Sequence, residues 1–103
     1  MSVLLEFAMF PTDKGESVSP YVSQVIKMIR ESGFPYQLTA MGTIIETQEM
    51  TEALSLIQKA YEVLEPHSNR IYSTVKFDIR KNAQNRLEGK IQSIEKVIGK
   101  THH

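Results

Sequence analysis

The run from Val3 to Phe10 alternates Val3, Leu5, Phe7 and Met9 with Leu4, Glu6, Ala8 and Phe10, the period of a strand with one dry and one mixed face. Pro11 closes that strand, and after a polar loop Ser19-Pro20 predicts a helix start: a hydroxyl suited to the N-cap, then proline at the first helical position. Val18, Val22, Val25, Ile26 and Ile29 recur at helical spacing up to Gly33, which stands where a left-handed C-cap residue belongs. Tyr36 to Ala40 and Thr43 to Thr47 are short and β-favouring, and Met41-Gly42 between them predicts an antiparallel hairpin. From Glu49 to Leu64 a second helical stripe runs through Met50, Ala53, Leu54, Ile57, Ala60, Tyr61 and Leu64, stopped by Pro66. Arg70 to Arg80 reads as a strand with Ile71, Val75, Phe77 and Ile79 on a dry face and Tyr72, Thr74, Lys76, Asp78 and Arg80 on a polar one. Asn85, three residues before Glu88, opens a last amphipathic helix through Leu87, Ile91, Ile94 and Ile98.

The order β-α-β-β-α-β with an added C-terminal helix is the ferredoxin-like α+β plan, a single domain over 1–98 with 99–103 as a frayed tail. Two helices would cover one face of a four-stranded antiparallel sheet. The other face would carry Leu4, Glu6, Ala8, Phe10, Ile44, Glu46, Tyr72, Thr74, Lys76 and Asp78, too apolar for free solvent and too polar for a core. A subunit interface or the floor of a ligand pocket would satisfy both properties.

Composition narrows the chemistry. With 103 residues, 41% of them apolar, the chain supports one core. Twelve basic and twelve acidic side chains cancel, which removes the whole-chain charge that drives non-specific nucleic-acid binding. Without cysteine there are no disulfides, thiolate catalysis or cysteine metal sites. The start, Met1 to Glu6, has no basic leader and reads as a strand; no run approaches the roughly 20 apolar residues of a membrane span, so a cytoplasmic protein is expected. His67, His102 and His103 lack metal-site spacing, and no nucleophile-elbow pattern surrounds Ser17 or Ser19.

Met41-Gly42-Thr43 followed by Ile44-Ile45-Glu46 is the most informative block, because a glycine at a tight turn lets backbone approach closely and a carboxylate on a strand calls for a partner. Glu6, Glu46, Lys76 and Asp78 on paired strands form either a polar pocket floor, with Phe10 or Tyr72 as an aromatic surface, or a set of cross-strand ion pairs. Arg80, Lys81, Arg86 and Lys90 form a basic cluster that reads as a solvated face.

The strand ending in Phe10-Pro11, the stretch Ser17-Val18-Ser19-Pro20-Tyr21-Val22, Glu31-Ser32-Gly33 with Tyr36 and Leu38, the block Met41 to Glu46 and the strand Arg70 to Arg80 together resemble the small thiamine-binding proteins of the YkoF-like superfamily. The resemblance spans roughly residues 2 to 98. It implies a ferredoxin-like fold, dimers or tetramers assembled through the sheets, and non-catalytic binding of thiamine or its hydroxymethylpyrimidine precursor, for buffering or delivery. Thiamine is then a ligand, with no cofactor. The resemblance also implies a site around Met41, Gly42, Thr43 and Glu46, with Ser17, Ser19 and Tyr21 as second candidates; Glu6 is a further carboxylate that would favour the thiazolium charge. Two rival expectations are a structural or regulatory oligomer with an interfacial effector site, and an isomerase-like enzyme using Glu6, Glu46 and Asp78.

Overall fold

The computed structural model describes residues 1–16 and 18–87. Ten residues, Ser2–Pro11, form strand β1; Ser19–Ser32 form helix α1, Tyr36–Thr39 and Gly42–Thr47 the hairpin strands β2 and β3, Met50–Leu64 helix α2, and Ile71–Arg80 strand β4. The sheet order is β2-β3-β1-β4 and all neighbours are antiparallel, so β1 lies inside and β4 at one edge. This is the ferredoxin-like α+β arrangement. The predicted C-terminal helix begins in conformation at Arg86 and Leu87; its remainder, with the 99–103 tail, lies outside the described residues.

Strand phase follows the alternation. Val3, Leu5 and Phe7 are buried with Ile45 from β3 and with Val25, Ile29, Ala53, Leu56, Ala60 and Leu64 from the helices. Leu4, Glu6, Ala8 and Phe10 point to the open face and are only half-buried. Gly33 takes φ 84°, the left-handed C-cap that ends α1.

Three expectations change. Val18, not Ser19, is the N-cap of α1, and no side chain caps it; Ser19 is already the first helical residue, so its hydroxyl is past the position from which it could reach the orphan N–H groups. Along α2, Leu54 and Tyr61 are exposed while Leu56 is buried: the contact line is Ala53, Leu56, Ala60, Leu64, where two alanines let the helix settle close on the sheet. The dry face expected for β4 is not dry. Val75, Phe77 and Ile79 share a face with Phe7, Leu5 and Val3, their register partners, yet are 38%, 36% and 48% exposed. Among the described residues the helices pack over β1 and β3, and β4, at the edge of the sheet they form, has no helix over its apolar row.

Among the described residues no helix is long and apolar enough to cross a membrane.

Candidate functional site

The hairpin turn is held by one side chain. Thr39 Oγ1 accepts from the N–H groups of Met41 and Gly42, both at 3.1 Å, and donates to the Gly42 carbonyl at 2.9 Å, so the hydroxyl closes the turn on itself. Gly42 then starts β3 against β1, where a β-carbon would stand 2.7 Å from the Phe7 carbonyl oxygen. No other residue type fits that approach without moving a strand. The next residue, Thr43, faces the helical layer and is buried, while Met41 at the tip is 85% exposed.

Between this turn, the far half of β1 and the first turns of α1 lies a cavity of about 410 Å³. Its wall includes Phe7, Met9, Val22, Ile26, Leu38 and the three residues Met41, Gly42 and Thr43; among the described residues it carries no titratable side chain. An apolar concavity with a few fixed polar groups is the usual form of a small-molecule site.

Glu46 lies on the other side of the sheet. Paired with Leu4, it faces away from the helices, and the residue is only 7% exposed. Its Oε2 accepts from the Ser2 hydroxyl at 2.6 Å and the Arg86 N–H at 3.0 Å, and its Oε1 from the Leu87 N–H at 3.0 Å. Burial pushes the Glu46 carboxyl up, but the Ser2 hydroxyl, the Leu87 and Arg86 N–H groups and the Arg86 charge outweigh it, holding the group below the usual glutamate value. A polar cleft of about 360 Å³ adjoins it, lined by Phe34, Gln48, Glu52, Gln84 and Asn85 among others.

Arg86 ties this corner together. Its Nε donates to the Ser2 hydroxyl at 2.9 Å, its Nη2 to the carbonyls of Ser2 and Asp78, and its Nη1 stands 3.0 Å from Asp78 Oδ2. The guanidinium thereby bridges β1 and β4, while the backbone beside it is anchored on β3.

The structure therefore divides the residues singled out from sequence. Met41, Gly42 and Thr43 come together in the apolar wall. Glu46 is one strand face and several residues away, already hydrogen-bonded. Glu6 faces the open side, 3.7 Å from Lys76 in an exposed cross-strand ion pair. Phe10 and Tyr72, cross-strand partners, lie against each other with ring centroids 5.8 Å apart. Ser19 is exposed on the first turn of α1, and the Tyr21 ring turns toward His67 at 5.7 Å. Ser17 lies outside the described residues. Sequence reasoning did not single out Phe7, Met9, Val22, Ile26 and Leu38 as cavity wall, because a residue facing a cavity and one facing a core have the same periodicity. It placed Arg86 on a solvated face, since nothing in the spacing links position 86 to position 2.

Comparison with known proteins agrees with this fold. The UPF0045 protein Mb1933 of Mycobacterium bovis is 32% identical over 98 residues, which cover 95% of this chain and 96% of that one. The crystal structure of protein MJ1052 from Methanocaldococcus jannaschii superposes with a TM-score of 0.79 at 31% identity, covering 90% of this chain and 95% of that one. A Thermotoga maritima structure, named as that of a candidate thiamine biosynthesis or salvage protein, has a TM-score of 0.78 at 17% identity over 91% of this chain and 99% of that one, a likeness of fold. The family model described as thiamine-binding protein matches residues 5–95, so this chain, from its first strand nearly to its last residues, belongs to the thiamine-binding protein family.

Proposed function

We propose that this chain is a cytoplasmic, homo-oligomeric carrier that binds thiamine or its hydroxymethylpyrimidine precursor without turning it over, for buffering or delivery. The observation that carries the reading is the apolar cavity beside the hairpin turn, with Met41, Gly42 and Thr43 in its wall. A flat heteroaromatic ring suits such walls, and the buried Thr43 hydroxyl offers a donor and an acceptor to the nitrogens of an aminopyrimidine. The turn is already locked by Thr39, so little order has to be imposed on binding. The cationic thiazolium would sit at the mouth, near exposed Met41, where it keeps its hydration. The family match and the name given to the Thermotoga protein favour a thiamine-related ligand.

Titration calorimetry with thiamine and with hydroxymethylpyrimidine tests the reading. Heat with either ligand is expected, and Thr43→Val should weaken binding about tenfold, the loss of one hydrogen bond. No heat with either at millimolar ligand overturns it. If Glu46→Gln weakens binding and Thr43→Val does not, the ring belongs in the polar cleft instead.

A regulatory or structural oligomer is the second reading, favoured by the uncovered apolar row on β4. Assembly that is indifferent to thiamine, with no ligand heat, would select it.

A further inference from the structure

The chain holds five methionines, Met1, Met9, Met28, Met41 and Met50, and no cysteine. Their thioethers are therefore the softest nucleophiles that a peroxide meets on it. Four of them are sheltered: Met9 is 8% exposed in the core, and Met1, Met28 and Met50 are partly buried against it. Met41 is 85% exposed. Its backbone N–H donates to Thr39 Oγ1 at 3.1 Å, which fixes the tip of the hairpin, and the residue shares the wall of the apolar cavity with Met9. One cavity wall thus carries the most accessible methionine of the chain and a deeply buried one.

We propose that Met41 is a reversible oxidation site, and that its sulfoxide loosens the hold of this cavity on a flat heteroaromatic ring. This takes the cavity as the ligand site, as proposed above. A sulfur lone pair of Met41 attacks one oxygen of hydrogen peroxide, so that the S–O bond forms as the O–O bond breaks. The sulfur gives up two electrons, and the departing hydroxide takes the proton of the transferred oxygen and leaves as water. As a thioether, Met41 is flexible and apolar, free to lie over a ring seated against Leu38 and Gly42. As a sulfoxide it carries a strong acceptor oxygen, and the same movement would strip water from it. The turn has no donor to give in exchange, because the N–H groups of Met41 and Gly42 are already engaged by Thr39. Methionine sulfoxide reductases, with a dithiol that becomes a disulfide, restore the thioether and release the oxygen as water.

The test is limited treatment of the folded chain with hydrogen peroxide, followed by peptide mapping in a mass spectrometer and calorimetry with hydroxymethylpyrimidine. Met41 is expected to gain an oxygen first, and Met9 only once urea has opened the core. The chain oxidised at Met41 should bind hydroxymethylpyrimidine about tenfold more weakly, and recover after treatment with both epimer-specific reductases and dithiothreitol. Met41→Leu keeps an apolar side chain without sulfur, so its affinity should be the same before and after peroxide. Met41→Gln places a permanent polar group there and should bind more weakly than Met41→Leu with no oxidant present. Oxidation of another methionine ahead of Met41, a loss of affinity that the reductases do not reverse, or an equal loss in peroxide-treated Met41→Leu would each overturn the proposal. Heat from the untreated chain that the Met41 sulfoxide leaves unchanged defeats the oxidation site's role alone and leaves the vitamin reading standing; no heat from the untreated chain removes both.

Discussion

Replacing Glu46 with glutamine tests whether that carboxylate is a structural anchor. Three donors converge on it: the Ser2 hydroxyl and the Arg86 N–H on one oxygen, the Leu87 N–H on the other. A glutamine amide must turn its NH₂ toward one of these groups, and the least disruptive placement faces Leu87, so one bond is lost and the other two lose their charge assistance. A hydrogen bond to a charged group contributes about 1.5–3 kcal/mol, and at a site this buried that range is the expected destabilisation at neutral pH. In urea the midpoint should fall by roughly 1 M, with the slope unchanged. The pH dependence gives the sharper result. Because the folded-state carboxyl titrates below its ordinary value of 4.5, its stabilisation is fully present above that value and is lost as pH falls through the depressed one. The gap between the wild-type chain and Glu46→Gln should therefore close in acid. An equal gap at neutral and acid pH, or no gap at neutral pH, would refute the anchoring role.

Other substitutions follow from the packing. Gly42→Ala places a β-carbon 2.7 Å from the Phe7 carbonyl oxygen, and since backbone must give way the expected loss is about 1–3 kcal/mol, read as a lower melting temperature. Leu56→Ala should cost about 2–5 kcal/mol and Leu54→Gln less than about 0.5, because only the first is buried; equal urea midpoints would contradict the facing of α2. Lys76→Ala removes an ion pair whose lysine is 81% exposed, so monomer stability should change by less than about 1 kcal/mol, whereas Arg86→Ala removes bonds to two strands and should cost more; the reverse order in thermal melts would sink the clamp.

The sheet was readable because alternation is a local property: the phase of β1 and of the hairpin, and the Gly33 cap, followed from spacing alone. What failed was set by tertiary neighbours. The alternation in β4 was real, yet an apolar row is dry only where a layer covers it, and its place at the edge depends on pairing that no window of sequence contains. On α2 the apolar arc is wide enough to allow several facings, and the choice of Ala53, Leu56, Ala60 and Leu64 was made by how closely the helix could approach the sheet. Thr43 and Glu46 are three residues apart, so alternation sends them to opposite faces. Grouping them as one site came from the resemblance, and the structure gives each a different surrounding. Arg86 was invisible as a clamp because its partners are 8 and 84 positions away.

The most direct measurement of the central claim is a crystal soaked with hydroxymethylpyrimidine. Density for a flat ring against Gly42 and Thr43, between α1 and the hairpin, is the predicted result. A ring held in the cleft beside Glu46, or an apolar cavity that stays empty while solution binding is saturated, would contradict it.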